Sequence, residues 1–218
     1  MLPLYIDVSD KRIIVFGGGG VAERKICQIL ETGIDITEKN PRIDVYSLNF
    51  TPRIKELCEK KEIQCFQCDL WNQNVEELIK GAFLILICTS DESLNNRIFN
   101  EAARCDVLIN YRDKGNAFMS SVVKKGGFLI SISTTGKGPA MARYMKEKIA
   151  SLIGDQEEKM LYIQKDLREY LQEKIEDEGR RKEILNFVLS DSDCWSALDE
   201  PIEVAKRRIV RIVEVRYA

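Results

Sequence analysis

Histidine is absent from the 218 residues. The side chain that most often ligates transition metals and shuttles protons near neutral pH is therefore missing. Long apolar runs are missing too: none approaches the roughly 20 residues that a membrane span needs. The opening Met1-Leu2-Pro3-Leu4-Tyr5-Ile6-Asp7 has neither the basic start nor the small-residue cleavage site of a secretory signal. A cytoplasmic protein with no membrane contact is expected. An excess of positive charge is also lacking. Lys and Arg number 33 against 35 Asp and Glu, a net charge of −2, so nothing overall draws the chain to nucleic acid. The 7 cysteines are odd in number and scattered, which fits reduced thiols better than a disulfide framework. Cys65-Phe66-Gln67-Cys68 is a lone CxxC; without histidine or a second pair of ligands it reads as small apolar residues on a strand. No metal site is expected.

What is present is an alternation of strand and helix signals. Arg12 to Phe16 is a short β-branched run that stops at four glycines, as a buried parallel strand does. Beyond them Ala22, Ile26, Ile29 and Leu30 recur at helical spacing, and Gly33 closes the segment. After a polar connection over 35–41, Ile43 to Leu48 reads as a second strand. Thr51-Pro52 offers an N-cap and a first-turn proline for a helix bearing Ile54, Leu57 and Cys58. Ile63 to Phe66, Phe83 to Cys88 and Val107 to Tyr111 read as three more strands. A short helix over Val75 to Lys80 precedes the second of these, and one capped by Thr89-Ser90-Asp91 follows it. Five such alternations predict an α/β fold with a doubly wound, Rossmann-type parallel sheet. Near Asp113 the pattern changes. Val122-Val123 and Phe128 to Ser133, around Lys124-Lys125-Gly126-Gly127, predict a hairpin. A loop from Thr134 to Pro139 then opens a helix with Met141, Met145, Ile149 and Leu152 in one stripe. From Asp155 the chain is charged and helical in pattern, interrupted by proline only at Pro201.

Gly17-Gly18-Gly19-Gly20-Val21-Ala22 satisfies G-x-G-x-x-A. Gly17 makes the tight turn, Gly19 lets the backbone approach a pyrophosphate, and Ala22 allows close packing of helix on sheet. A lone glycine fingerprint is weak, but this one follows a strand, opens a helix and begins a βαβ series, which is the context that the motif requires. The acid that usually reads the ribose after the second strand is not evident. Asp44 lies within the strand, and its end offers Ser47, Leu48 and Asn49. Asn49 suits a ribose hydroxyl and Arg53 a 2′-phosphate, so these residues leave NAD and NADP both open.

Taken together, several blocks resemble the precorrin-2 dehydrogenase family, which includes the N-terminal part of siroheme synthases. They are Leu2-Pro3-Leu4-Tyr5, Phe16 to Lys25, Thr89-Ser90-Asp91 with Asn95, Asn110-Tyr111-Arg112-Asp113, and Ser133 to Arg143. They cover residues 1 to 152. The resemblance implies oxidation of precorrin-2 to sirohydrochlorin with NAD. It also implies an organisation into a Rossmann domain over 1–113, a dimerisation and substrate segment over 114–153 and a helical domain over 154–218. Cofactor contacts are implied at Gly20, Val21, Leu48, Asn49 and Thr89, beside Gly17 and Gly19 of the fingerprint. The essential aspartate falls on Asp113, with a proton-accepting role, and the hydroxyl-bearing middle loop on Ser133 and Thr134. Three departures stand out: the long connection over 35–41, Thr134-Thr135 where serine and glycine are usual, and no counterpart of a fused methyltransferase.

The substrate that the resemblance implies is a polycarboxylate tetrapyrrole. Arg112, Lys114, Lys137 and Arg143 fall where positive charge would meet it, although each alone reads as a solvated surface charge. The alternatives are a bifunctional enzyme that also inserts ferrous iron, a different NAD(P) oxidoreductase, a nucleotide-sensing Rossmann module, and a scaffold acting through its C-terminal helices. Iron insertion is disfavoured by the missing histidine. The apolar residues of 114–153 outnumber what so few elements can bury, which predicts a homodimer.

Overall fold

Continuous apolar runs build a sheet covered on both faces. The computed structural model describes residues 2–33, 40–112 and 114–217. Asp113 and most of the 35–41 connection lie outside the described residues. The chain divides into two units, Met1–Ser120 and Ser121–Ala218.

In the first unit, β1 (Arg12–Phe16) runs into α1 (Gly20–Gly33), followed by β2 (Arg42–Ser47), α2 (Pro52–Glu59) and β3 (Gln64–Gln67). A 3-10 turn (Leu70–Asn72) and α3 (Val75–Ile79) lead to β4 (Leu84–Ile87), α4 (Glu92–Ala102) and β5 (Leu108–Asn110). The sheet order is β3-β2-β1-β4-β5, parallel throughout. Ile13 and Val15 face α1 and α2 with Ile26, Ile43, Val45 and Leu57. Ile14 and Phe16 face the other way, against Val75, Ile79, Leu94 and Ile98 of α3 and α4. This two-sided burial is why the strands read as continuous apolar runs.

A buried carboxylate interrupts β2. The Asp44 side chain has no exposed surface and accepts from Arg12 Nε at 2.8 Å and Arg42 Nε at 3.0 Å. A carboxylate inside a strand is tolerable only when paired in this way, which accounts for its unavailability to any ligand.

The second unit opens with the expected hairpin. β6 (Ser121–Lys125) pairs antiparallel with β7 (Phe128–Ile132). Gly126 and Gly127 sit at φ of +55° and +79° between them, the left-handed pair that a two-residue hairpin turn demands. α5 (Pro139–Leu152) packs on both strands. Its buried residue is Ala142, whereas Met141 and Leu152 of the expected stripe are exposed, with Tyr144 beside them. Within one chain the hairpin covers only part of this helix. α6 (Asp155–Lys174), α7 (Glu178–Ser190), α8 (Ser192–Ser196) and α9 (Ile202–Tyr217) enclose a separate core of Met160, Ile163, Leu167, Ile184, Val188 and Ile209.

Candidate active site

The glycine turn is shaped by what surrounds it. Gly17, at φ +110°, approaches the end of β4 so closely that a Cβ would lie 2.7 Å from the Cys88 carbonyl. A Cβ on Gly18 would lie 2.2 Å from the Asn49 carbonyl oxygen. The Thr51 amide donates to the Gly18 carbonyl at 3.0 Å, tying the turn to the loop after β2. At Gly19 and Gly20 the geometry is opposite, since a Cβ there would meet nothing within 4 Å. Two glycines therefore serve packing, and two leave open space at the N-terminus of α1, where backbone amides and the helix dipole favour an anion.

That space belongs to a cleft of about 690 Å³ at the carboxyl edge of the sheet. It is walled by the glycine turn, the loop 47–51 after β2, the segment 68–71 after β3, and Cys88 to Asp91 with Leu94 after β4. It lies where the strand order reverses between β1 and β4, the position at which open parallel sheets bind nucleotides. Gly17, Gly19, Gly20, Val21, Leu48, Asn49 and Thr89 all line it. A dinucleotide fits this donor set: open amides at the turn for its phosphates and exposed apolar groups (Val21, Leu48, Trp71) for its rings.

The carboxylates on the rim are committed elsewhere. Asp69 accepts from the Trp71 amide at 3.0 Å and from Asn72 Nδ2 at 2.9 Å. Asp91 caps α4 through the Leu94 amide at 3.1 Å and accepts from Trp71 Nε1 at 3.0 Å. The Leu94 amide, then the indole, hold its carboxyl below the usual range. Arg53, the candidate for a 2′-phosphate, is outside the cleft lining and pairs with Glu56 at 2.7 Å. Thr89 is anchored by the buried Asn95: its hydroxyl donates to Asn95 Oδ1 at 2.6 Å and its carbonyl accepts from Asn95 Nδ2 at 2.9 Å.

At the β4–β5 end, Lys25 Nζ donates to Asn110 Oδ1 at 2.5 Å and lies 3.6 Å from Cys88 Sγ. Burial pushes the Cys88 thiol up against the opposing pull of Lys25, so it stays neutral at neutral pH. Asn110 Nδ2 donates to the Ala117 carbonyl at 2.8 Å, and Asn116 Oδ1 accepts from the Ile109 amide at 2.6 Å. Together these bonds close the turn after β5, on which Arg112 and Lys114 stand. Arg112, at φ +43°, lies 3.6 Å from Glu92. Lys114 Nζ donates to Asn96 Oδ1 at 3.0 Å and lies over the Tyr111 ring.

The other sequence-derived candidates lie in the second unit. Ser133 Oγ accepts from the Thr135 amide at 3.1 Å, and Thr134 Oγ1 from the Gly138 amide at 3.2 Å. The Lys137 amide donates to the Thr134 carbonyl at 3.1 Å. Arg143 is exposed and 3.5 Å from Glu147. Sequence reasoning missed the segment 68–71, whose signal was a tryptophan in a polar stretch just after a strand. It also assigned no role to Lys25 or Asn110, which meet only through the fold.

Comparison with known proteins bears on the family and the fold. A family model described as "Putative NAD(P)-binding" matches residues 4–121. A precorrin-2 dehydrogenase of Methanosarcina barkeri is 35% identical over 216 residues, covering 97% of this chain and 93% of that protein. A precorrin-2 dehydrogenase of Bacillus subtilis is 28% identical over 157 residues, covering 70% and 89%. In fold, the solved structure of SirC, a precorrin-2 dehydrogenase, superposes with a TM-score of 0.75 over 98% of this chain and 99% of that one, at 21% identity. With a relative this similar along nearly its whole length, the chain belongs to the precorrin-2 dehydrogenase family.

Proposed function

We propose that the protein oxidises precorrin-2 to sirohydrochlorin with NAD. The observation that carries this reading is the convergence of the seven cofactor residues on one open cleft, in a chain aligned along nearly its full length with a precorrin-2 dehydrogenase. NAD is favoured over NADP because Arg53 is held by Glu56 and lies outside the cleft lining. Bound NAD supplies a hydride acceptor.

The chain's own residues bind, orient and move a proton. The open amides around Gly19 and Gly20 hold phosphate, and Leu48 and Asn49 receive the adenosine half. Asp113, whose place in the sequence is just past β5, takes up the proton released as the hydride leaves. Arg112, Lys114, Lys137 and Arg143, with the hydroxyls of Ser133 and Thr134, provide charge and hydrogen bonds for the substrate's carboxylates. Residues 114–153 form the dimerisation and substrate segment between the Rossmann domain and the helical domain, and the working protein is a cytoplasmic homodimer.

The test is an anaerobic assay with precorrin-2 and NAD, following NADH absorbance and the sirohydrochlorin spectrum together. Both should rise in step, and Asp113→Asn should abolish turnover while NAD still binds. Tight NAD binding with no sirohydrochlorin would leave the cofactor site standing and remove the substrate.

A further inference from the structure

Trp71 is 47% exposed although tryptophan is usually among the more buried side chains. It lines the cleft, and its neighbours hold it from two sides. Its indole N–H is spent on Asp91 Oδ2 at 3.0 Å, across from the turn that carries it. Arg97 covers the ring with its guanidinium carbon 5.8 Å from the centroid, and its Nη1 and Nη2 donate to the Trp71 and Gln73 carbonyls at 2.9 Å. An exposed aromatic ring held by a hydrogen bond at its N–H and by a guanidinium over its face, on a backbone that the same Arg97 ties down, has already given up much of the rotamer freedom that ligand binding would otherwise cost.

We propose that Trp71 is the stacking platform for the adenine base of the dinucleotide, an inference that rests on the cofactor reading above. In an open parallel sheet the β1-α1-β2 half takes the adenosine, because the ribose is read just after β2. The adenine then lies toward the ends of β2 and β3. Two exposed apolar side chains line the cleft there, Leu48 after β2 and Trp71 after β3. A flat heterocycle between them buries both, and stacking on the indole needs no hydrogen-bond partner. This also explains how the cleft grips adenosine when both of its rim carboxylates are already engaged.

The chain has two tryptophans, so Trp195→Phe leaves Trp71 as its single indole reporter. In that background NAD and ADP should quench the fluorescence and nicotinamide mononucleotide should not. By calorimetry on otherwise wild-type protein, Trp71→Ala should weaken NAD and ADP about tenfold alike, the loss expected of one stacked base. Trp71→Phe, which keeps a ring but loses the bond to Asp91, should cost less than about threefold. Equal ADP affinity in wild type and Trp71→Ala would overturn the proposal. So would a Trp71→Phe loss as large as that of Trp71→Ala, since the bond to Asp91 rather than the ring would then matter. If wild-type protein binds neither NAD nor ADP, the cofactor reading itself fails, a result distinct from a Trp71 variant that binds normally.

Discussion

A methyl group at Gly18 and one at Gly20 have opposite consequences, although both glycines belong to one run of four. At Gly18 the methyl would sit 2.2 Å from the Asn49 carbonyl oxygen and 2.8 Å from the Phe50 ring. Gly18→Ala should therefore cost about 2 kcal/mol of stability, as overpacking does, and lower the urea midpoint. Gly20→Ala meets nothing within 4 Å, so its midpoint should match wild type while NAD affinity falls, since the methyl intrudes on the space left for phosphate. Equal stability losses in both would contradict the division of labour. The cysteines yield a second prediction at this scale. Burial, reinforced by Asp191, pushes the Cys194 thiol from 9.0 up to about 12. Burial likewise pushes Cys65 to about 12, with help from Cys58. The unfolded chain releases these protons near the ordinary thiol value and the folded chain keeps them. Their contribution to stability is therefore whole below that value and lost as pH climbs toward 12. Thermal unfolding followed between pH 8 and about 11 should show a shallower decline for Cys194→Ala than for wild type.

At the scale of elements, capping and periodicity act together. Thr51, Asn74, Asp91 and Asp177 each accept a hydrogen bond from an amide of the first helical turn, starting α2, α3, α4 and α7 where their side chains appear in the chain. α9 illustrates how one helix serves a core and solvent at once. Ile209 is fully buried against the other helices, whereas Val215 is 78% exposed on the same element. Ile209→Ala should cost about 3 kcal/mol in denaturant unfolding, the usual toll of a buried aliphatic truncation. Val215→Ala should be neutral within about 0.5 kcal/mol. Similar losses for the two would remove α9 from the core.

For the whole molecule, the prediction concerns association. Met141, Tyr144 and Leu152 leave an apolar face exposed on α5, and a second copy of the chain is the partner proposed for it. Sedimentation equilibrium should then give a mass twice 25.0 kDa, and Leu152→Glu should shift it toward the monomer. A monomer mass independent of concentration would defeat the homodimer. Much of this architecture was legible in the chain because its signals are local. β-Branched runs, helical spacing, capping residues and the Gly126-Gly127 turn each act within a few residues, so most strand and helix bounds from Arg12 to Leu152 could be read to within one or two positions, whereas the breaks that divide the C-terminal segment into α6, α7, α8 and α9 were not read. The glycine fingerprint carried its meaning through the same local context. What only the tertiary structure decided depends on residues far apart in sequence. Asp44 is paired with Arg12 from a neighbouring strand; Lys25 meets Asn110, 85 positions away; and Trp71 stands in the cleft because the crossover from β3 to β4 carries it past the sheet edge to Asp91. Sequence alone determined the parallel α/β sheet and where its glycine turn lies, since backbone conformation is set by neighbours. Which side chains wall the cleft was settled only when packing brought the ends of β1, β2, β3 and β4 together, because contact between distant residues has no period to read.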